Sequence, residues 1–301
     1  MQKDFLSIGD VSKKQMEKLF KITKELKRKP YGVALKNKTI VLLFEKPSTR
    51  TRLSFEAGIG HLGGSPIYVD ASSTQLSRGE TVEDTGRTME RFVDGIVARV
   101  YKHETLAGLA KNTSIPVVNA LSDIEHPCQT LADLFTMLEK AGSFRNQKIA
   151  FVGDGDNVCN SLMLGCAILG VEFAAATPPK FKPSASILAR AKEIAGDKIQ
   201  VFDDPVKAVN DATFVYTDVF VSMGDEAQKE ERLKVFVPAY QVTRELMGRA
   251  KKGALFMHCL PAHRGQEVAG DVIDGKSSVV FDQAENRMHV QKALLTMLYG
   301  R

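Results

Sequence analysis

Residues 38–52 read KTIVLLFEKPSTRTR, and this stretch decides the fold. Residues 38–44 form an apolar, partly β-branched run with no polar alternation, the pattern of a strand covered on both faces. Pro47 and Ser48 interrupt the run, and residues 50–62 then carry apolar positions at helical spacing. A strand that feeds a helix without a hairpin turn is half of a βαβ unit. Its sheet is therefore expected to be parallel.

The same alternation recurs on both sides. Residues 66–69, 95–100 and 116–119 read as strands, with helices over 81–92, 107–111 and 127–140. The last of these begins with Pro127 at a first helical position, where the missing N–H costs little. A second series has strands at 148–152, 172–176, 213–216 and 255–258. Its helices are at 157–169, 184–194, 239–250 and 283–298. The turn at 141–146, AGSFRN, separates the two series. The pattern predicts an α/β chain of two doubly wound parallel-sheet domains. They cover residues 1–140, with 286–301 packing back on them, and residues 141–285. Tandem domains of this kind hold ligands at the carboxyl ends of their strands, so the active site is expected in the cleft between them.

Composition narrows the class. The chain has 301 residues, 44% hydrophobic and 26% charged, with a formal net charge of +5. That suits a soluble enzyme. The positive charge is spread out except at 21–38, which reads as a solvated helix face rather than a nucleic-acid patch. A modest excess also suits attraction of an anionic substrate. No apolar run approaches the roughly 18 residues of a membrane span, and residues 1–10 lack a signal layout. The expectation is a cytoplasmic protein with neither nucleic acid nor membrane as partner. Cys128, Cys159, Cys166 and Cys259 make no C-x-x-C pair, so reduced thiols are expected. His258, Cys259 and His263 lie close together, but no second thiol pair or H-E-x-x-H accompanies them, and no metal is expected.

Residues 45–52 open a helix directly after a strand. Unpaired N–H groups and the helix dipole welcome an anion there. Ser48, Thr49 and Thr51 add hydroxyls, and Arg50 and Arg52 add guanidinium forks suited to phosphate. A capped helix with surface arginines is the plain alternative; the packed string favours the anion site. No G-x-x-x-x-G-K-[ST] occurs, so it is not a P-loop. Arg99 stands at a strand end, and His126 precedes Pro127 and Gln129. Alone, each of these is ordinarily structural.

Residues 218–224, DVFVSMG, follow a later strand. Asp218 can pair with an ammonium group, Ser222 can donate or accept, and Gly224 frees the backbone to bend. A capped turn is the plain alternative here. Residues 256–261, FMHCLP, follow another strand, where cysteine is more often a small core residue than a reactive one. Gly153-x-Gly155 resembles the start of a dinucleotide fingerprint. Val158 stands where the third glycine belongs, so Gly155 is assigned to the turn and a nicotinamide enzyme is set aside.

Together these strings resemble the aspartate and ornithine carbamoyltransferase family across nearly the whole chain. S-T-R-T-R is similar to that family's carbamoyl-phosphate signature, and H-P-x-Q at 126–129 to its second such motif. D-x-x-x-S-M-G and H-C-L-P resemble segments of the ornithine enzymes, and the aspartate enzymes are not expected to carry the first. The resemblance implies carbamoyl transfer from carbamoyl phosphate to the δ-amine of L-ornithine, within arginine metabolism and without any cofactor. It implies Ser48, Thr49, Arg50, Thr51, Arg99, His126, Gln129, Cys259, Leu260 and Arg287 as carbamoyl-phosphate residues. Gln75 would join them from a neighbouring subunit. Asn157, Asp218, Ser222 and Met223 are implied for ornithine, with Arg50, Arg99, His126, Asp218 and Cys259 nearest the chemistry. A shared Gln75 implies a homo-oligomer, a trimer or an assembly of trimers. The alternatives are a carbamoyltransferase for another amine, such as putrescine or N-acetylornithine, and a non-catalytic anion-binding regulatory subunit. Phe220 stands where the family commonly has tryptophan, and Asp156 is not the commonest residue before Asn157.

Overall fold

The computed structural model describes residues 2–222 and 226–300. Contacts divide the chain into two units. One runs to Ala132 and resumes at Glu285, and the other spans Asp133–Ala284. The expected boundary at 140/141 lies eight residues later than this division. The AGSFRN turn marks where a helix ends, whereas the contacts change within that helix.

The first unit contains α1 (Lys13–Arg28), β1 (Thr39–Phe44), α2 (Thr49–His61), β2 (Ser65–Asp70) and α3 (Val82–Met89). It continues with β3 (Gly95–Arg99), α4 (His103–Asn112), β4 (Val117–Leu121) and the start of α5 (Pro127–Ala141). The strands are all parallel, in the order β2-β1-β3-β4. Five of the six residues of β1 are buried, as a strand covered on both faces requires. The basic cluster is largely α1. Ser12 and Gln15 close a capping box at its start, and Met16, Leu19 and Phe20 face inward while Lys18, Lys21 and Lys24 are exposed. At its far end the buried Lys292 donates to the Leu26 and Pro30 carbonyls at 3.2 and 3.0 Å. That places a cation where the helix leaves orphan carbonyls.

The second unit contains β5 (Lys148–Val152), α6 (Asn157–Leu169), β6 (Glu172–Ala176), α7 (Ala185–Ala195), β7 (Ile199–Phe202) and α8 (Pro205–Val209). After these come β8 (Phe214–Thr217), α9 (Lys229–Phe236), α10 (Arg244–Met247), β9 (Leu255–His258), α11 (Gly270–Ile273) and the start of α12 (Val280–Tyr299). Its strands are also parallel, in the order β7-β6-β5-β8-β9. The sequence reading missed β7, an edge strand with only one residue fully buried. It also drew the helix at 239–250 too long. Val242 is bridged to Val268, its N–H donating to the Glu267 carbonyl at 2.9 Å, and a helix starts only after the Thr243 cap.

Each sheet has one point at which the strand order reverses: between β1 and β3 in the first, and between β5 and β8 in the second. In open α/β sheets the carboxyl ends beside such a point form a ligand-binding crevice. Among the described residues no helix is long and apolar enough to cross a membrane.

Candidate active site

The switch point of the first sheet carries the S-T-R-T-R string. Phe44 is in register with Arg99, and the Glu45 N–H bonds the Arg99 carbonyl at 2.8 Å, so the string leaves β1 beside the end of β3. Ser48 is the N-cap of α2 and accepts from the Thr51 N–H at 3.3 Å. The other first-turn N–H groups remain available to an anion. The register between β3 and β4 skips Ala120, a bulge at the Arg99 position that turns the strand end.

Arg287 of α12 ties the cluster together. It donates to Thr51 Oγ1 at 3.1 Å and to Gln129 Oε1 at 2.6 Å. His126, buried just before α5, lies near enough to Arg287 and Arg99 to feel both charges. Burial first, then these two guanidinium groups, holds its imidazole well below the ordinary histidine range. A neutral ring that donates one N–H suits a carbonyl oxygen better than an imidazolium does a crowded cationic site. Arg50 is half-buried, and among the described residues no protein group pairs with its guanidinium. Arg52, expected as a second phosphate fork, is occupied: it bonds Glu56 at 2.9 Å and lies over the Tyr68 ring at 3.7 Å. Thr49 is exposed. Gln75 lies on the exposed 3-10 turn Gln75–Arg78 after β2, the outermost strand. It is not drawn into the cluster of its own chain.

The switch point of the second sheet carries Asn157 and the start of the D-x-x-x-S-M-G string. Asp156 caps α6, accepting from the Val158 and Cys159 N–H groups at 2.9 and 3.1 Å, and Asn157 opens the helix. Asp218 follows β8, is largely buried, and accepts from the Val219 N–H at 2.7 Å. Burial raises the Asp156 carboxyl well above the usual range, and the charges of Asp218 and Asp154 push it further. Asp154 is held by Arg232, which leaves Asp156 and Asp218, at the neighbouring ends of β5 and β8, as the carboxyls that a cation would relieve. Ser222 is half-buried, while Met223 and Gly224 lie outside the described residues. Phe220 is buried and stacked on Phe236 at 4.6 Å, so an aromatic ring is retained in the loop's packing.

Gly153 and Gly155 serve this turn. Gly153 has φ 142°, and a Cβ on Gly155 would lie 2.2 Å from the Pro183 backbone nitrogen. The chain at 181–183 thus packs directly against Gly155, so this glycine serves the close approach of another loop.

Cys259 follows β9, next to Thr217 and His258 in register, and hydrogen-bonds Asp218. Burial, then the Asp218 charge, pushes its thiol well above the normal range, which favours the protonated form. Atoms of Asp218, His258 and Cys259 lie within 4.8 Å of one another. Both ring nitrogens of His258 are already engaged, one by the Leu260 N–H at 2.8 Å and one by Glu267 at 3.3 Å, so the trio offers a metal no free imidazole.

Several residues escaped the sequence reading. Gln283 donates to Asp133 Oδ1 at 2.7 Å and to Tyr216 at 3.1 Å, and it accepts the His258 N–H at 3.0 Å, bracing β8 and β9 from below. Arg232 is paired with Asp154 and donates to the Phe220 carbonyl at 2.6 Å, holding the 218–222 loop. No local spacing announces either network, since each joins residues far apart in the chain.

Comparison with known proteins agrees with this layout. A model described as "Aspartate/ornithine carbamoyltransferase, carbamoyl-P binding domain" matches residues 3–139. A second, described as "Aspartate/ornithine carbamoyltransferase, Asp/Orn binding domain", matches residues 145–298. An ornithine carbamoyltransferase of Methanocorpusculum labreanum is 51% identical over 302 residues, which cover 99% of this chain and 98% of that protein. One from Carboxydothermus hydrogenoformans is 50% identical over 305 residues, with the same coverage. The solved structure of the Pyrococcus furiosus ornithine carbamoyltransferase matches with a TM-score of 0.94 at 46% identity, covering 99% of this chain and 97% of that one. The Thermus thermophilus structure gives 0.91 at 41%, covering 99% of each. With both domain models matched in order and the relatives aligned from end to end, the chain belongs to the aspartate/ornithine carbamoyltransferase family.

Proposed function

We propose that this chain transfers the carbamoyl group of carbamoyl phosphate to the δ-amine of L-ornithine, giving L-citrulline and phosphate. The observation that carries the reading is the chemistry at the two switch points. One holds an unpaired arginine, a capped helix N-terminus and a neutral histidine, fit for an anion with a carbonyl. The other holds buried carboxylates beside a protonated thiol, fit for a diamine.

The roles follow from charge. Ser48, Thr49, Arg50, Thr51, Gln129 and Arg287 hold the phosphate, while Arg99 and His126 donate to the carbonyl oxygen as it gains negative charge. Asp218, Asn157, Ser222 and Met223 hold the amino-acid end of ornithine. Cys259 and the Leu260 carbonyl lie at the δ-amine. That amine has an ordinary pKa of about 10, so it must lose a proton before it attacks. The first proton goes to solvent; the nitrogen lone pair then forms the new C–N bond, the C–O bond to phosphate breaks, and the departing phosphate takes the second proton from that nitrogen. Holding the substrates in register can supply about 7–11 kcal/mol of the barrier reduction.

A homotrimer, or an assembly of trimers, belongs to the same reading, with Gln75 lent to the neighbouring site. The exposed position of Gln75, away from its own chain's cluster, supports it. A cytoplasmic location is part of it too, supported by four cysteines that form no pairs.

The test is a colorimetric citrulline assay on the purified chain with ornithine, putrescine, N-acetylornithine and aspartate compared. Ornithine is expected to exceed the others by at least about 10²-fold in kcat/KM, because a buried carboxylate left without its ammonium group is heavily penalised. A preference for putrescine or N-acetylornithine would overturn the substrate, and no product with any amine would overturn the reaction.

A further inference from the structure

Residues 13–38 hold ten lysines and arginines and two acids, whereas the whole chain carries a net charge of +5. The rest of the chain is therefore net acidic, and the positive excess lies in this one segment. Most of it is α1. At 3.6 residues per turn, Lys13, Lys14, Lys18, Lys21, Lys24 and Arg28 fall within about 140° of arc around that helix. All six are exposed, while Met16, Leu19, Phe20 and Thr23 fill the opposite side. A helix of 16 residues is about 24 Å long, so the cations form a strip rather than a spot. Lys27, off this face, is paired with Glu285 at 3.3 Å. Among the described residues none of the six cations on the strip is paired with a carboxylate. Lys14, Lys18, Lys21, Lys24 and Arg28 follow one another at spacings of three and four, so each repels the next. A linear polyanion laid along the helix would relieve every one of these contacts.

The side chains also select the kind of polyanion. Five of the six cations are lysine, a compact point charge without the planar fork of arginine. No aromatic ring lies on the strip to stack a base; Tyr31, the nearest exposed ring, lies beyond the helix against His61 at 4.8 Å. The apolar side of α1 is spent on the core and leaves nothing to enter a lipid surface. We propose that the exposed face of α1 is a docking strip for inorganic polyphosphate, a chain of linked phosphates with neither bases nor acyl tails. This does not rest on the reaction proposed above.

The test is calorimetric titration of the full chain with a polyphosphate long enough to span the helix. Affinity is expected to fall about 10²-fold between about 50 and 200 mM salt, the drop for roughly four released counterions. Lys14→Gln, Lys18→Gln and Lys21→Gln combined keep good helix formers and should weaken binding at least about tenfold, with kcat/KM for ornithine within about twofold of the parent. Glu17→Gln with Glu25→Gln removes the two acids of the strip and should tighten binding by about threefold or more. Arg50→Ala, remote from the strip, should bind polyphosphate within about twofold of the parent. No binding by the parent chain, an affinity indifferent to salt, an unchanged affinity in the triple variant, or its loss in Arg50→Ala would overturn the strip. A single-stranded oligothymidylate of equal charge, or vesicles rich in phosphatidylserine, binding as tightly as polyphosphate would overturn the choice of partner.

Discussion

Asp156, after β5, lies within reach of the charges of Asp218, after β8, and Asp154. A carboxyl whose folded pKa is raised holds its proton more tightly folded than unfolded. Its contribution to stability is present below its ordinary value near 3.8 and is lost as pH rises through the folded value. Asparagine caps a helix as well as aspartate does. Asp156→Asn should therefore be more stable than the parent at pH 8, with a gain that vanishes toward pH 4. Relief of about 1 kcal/mol would raise Tm by about 2–4 °C in a thermal scan. His126 runs the other way: its depressed folded pKa gives stability that is present above about pH 6.5 and lost as pH falls. His126→Gln should flatten that acid loss and cost about 10²–10³-fold in kcat, as loss of an oxyanion donor does. A steeper acid loss in the variant would contradict the assignment. Arg50 and Asp218 separate the two ligands. Arg50→Ala should abolish turnover while leaving the thermal transition near that of the parent, because among the described residues no protein group pairs with it. Asp218→Asn should weaken ornithine by about 10²-fold while carbamoyl phosphate stays within about threefold. Equal losses for both ligands would mean that the 218–222 loop organises the whole site.

Among the elements, the turn from β5 to α6 is the tightest. Gly155 donates its N–H to the Phe181 carbonyl at 2.8 Å, and its missing Cβ leaves room for the Lys182–Pro183 backbone. Gly155→Ala forces backbone apart, which flexible side chains cannot absorb. It is expected to cost about 2 kcal/mol or more in chemical denaturation, and to raise the KM for ornithine through displacement of Asn157. A variant as stable as the parent would mean that the 181–183 segment moves freely. This turn also shows what a sequence pattern conceals. Gly153-x-Gly155 looks the same whether the space above it admits a pyrophosphate or another loop, and the loop that fills it lies some 26 residues away. In contrast, the N-terminus of α2 was legible because Ser48, Arg50 and Thr51 fall within four positions shortly after an apolar strand.

For the whole molecule, the shared-site proposal makes a quantitative expectation. Arg50→Ala subunits lack their own phosphate arginine but carry Gln75, whereas Gln75→Ala subunits carry the arginine. Each should be nearly inactive alone. Random trimers from an equal mixture should regain about a quarter of the parent sites, since half the sites keep Arg50 and half of their neighbours supply Gln75. Mixed subunits that stay as inactive as either parent, after denaturation and reassembly, would place Gln75 outside the site. Sequence alone determined the α/β class, the parallel sheets and the strings proposed to meet phosphate and amino acid. Those properties depend on residues adjacent in the chain: apolar runs, a proline at a helix start, hydroxyls and arginines within one turn. Only the tertiary structure decided that Arg52 is spent on Glu56 and Tyr68 while Arg50 remains available. It alone joined Arg287 to Thr51 and Gln129, and set Glu267 and Gln283 around His258. Those pairings arise from the order in which the strands lie side by side, and a contact made across a sheet leaves no trace in the spacing of the chain.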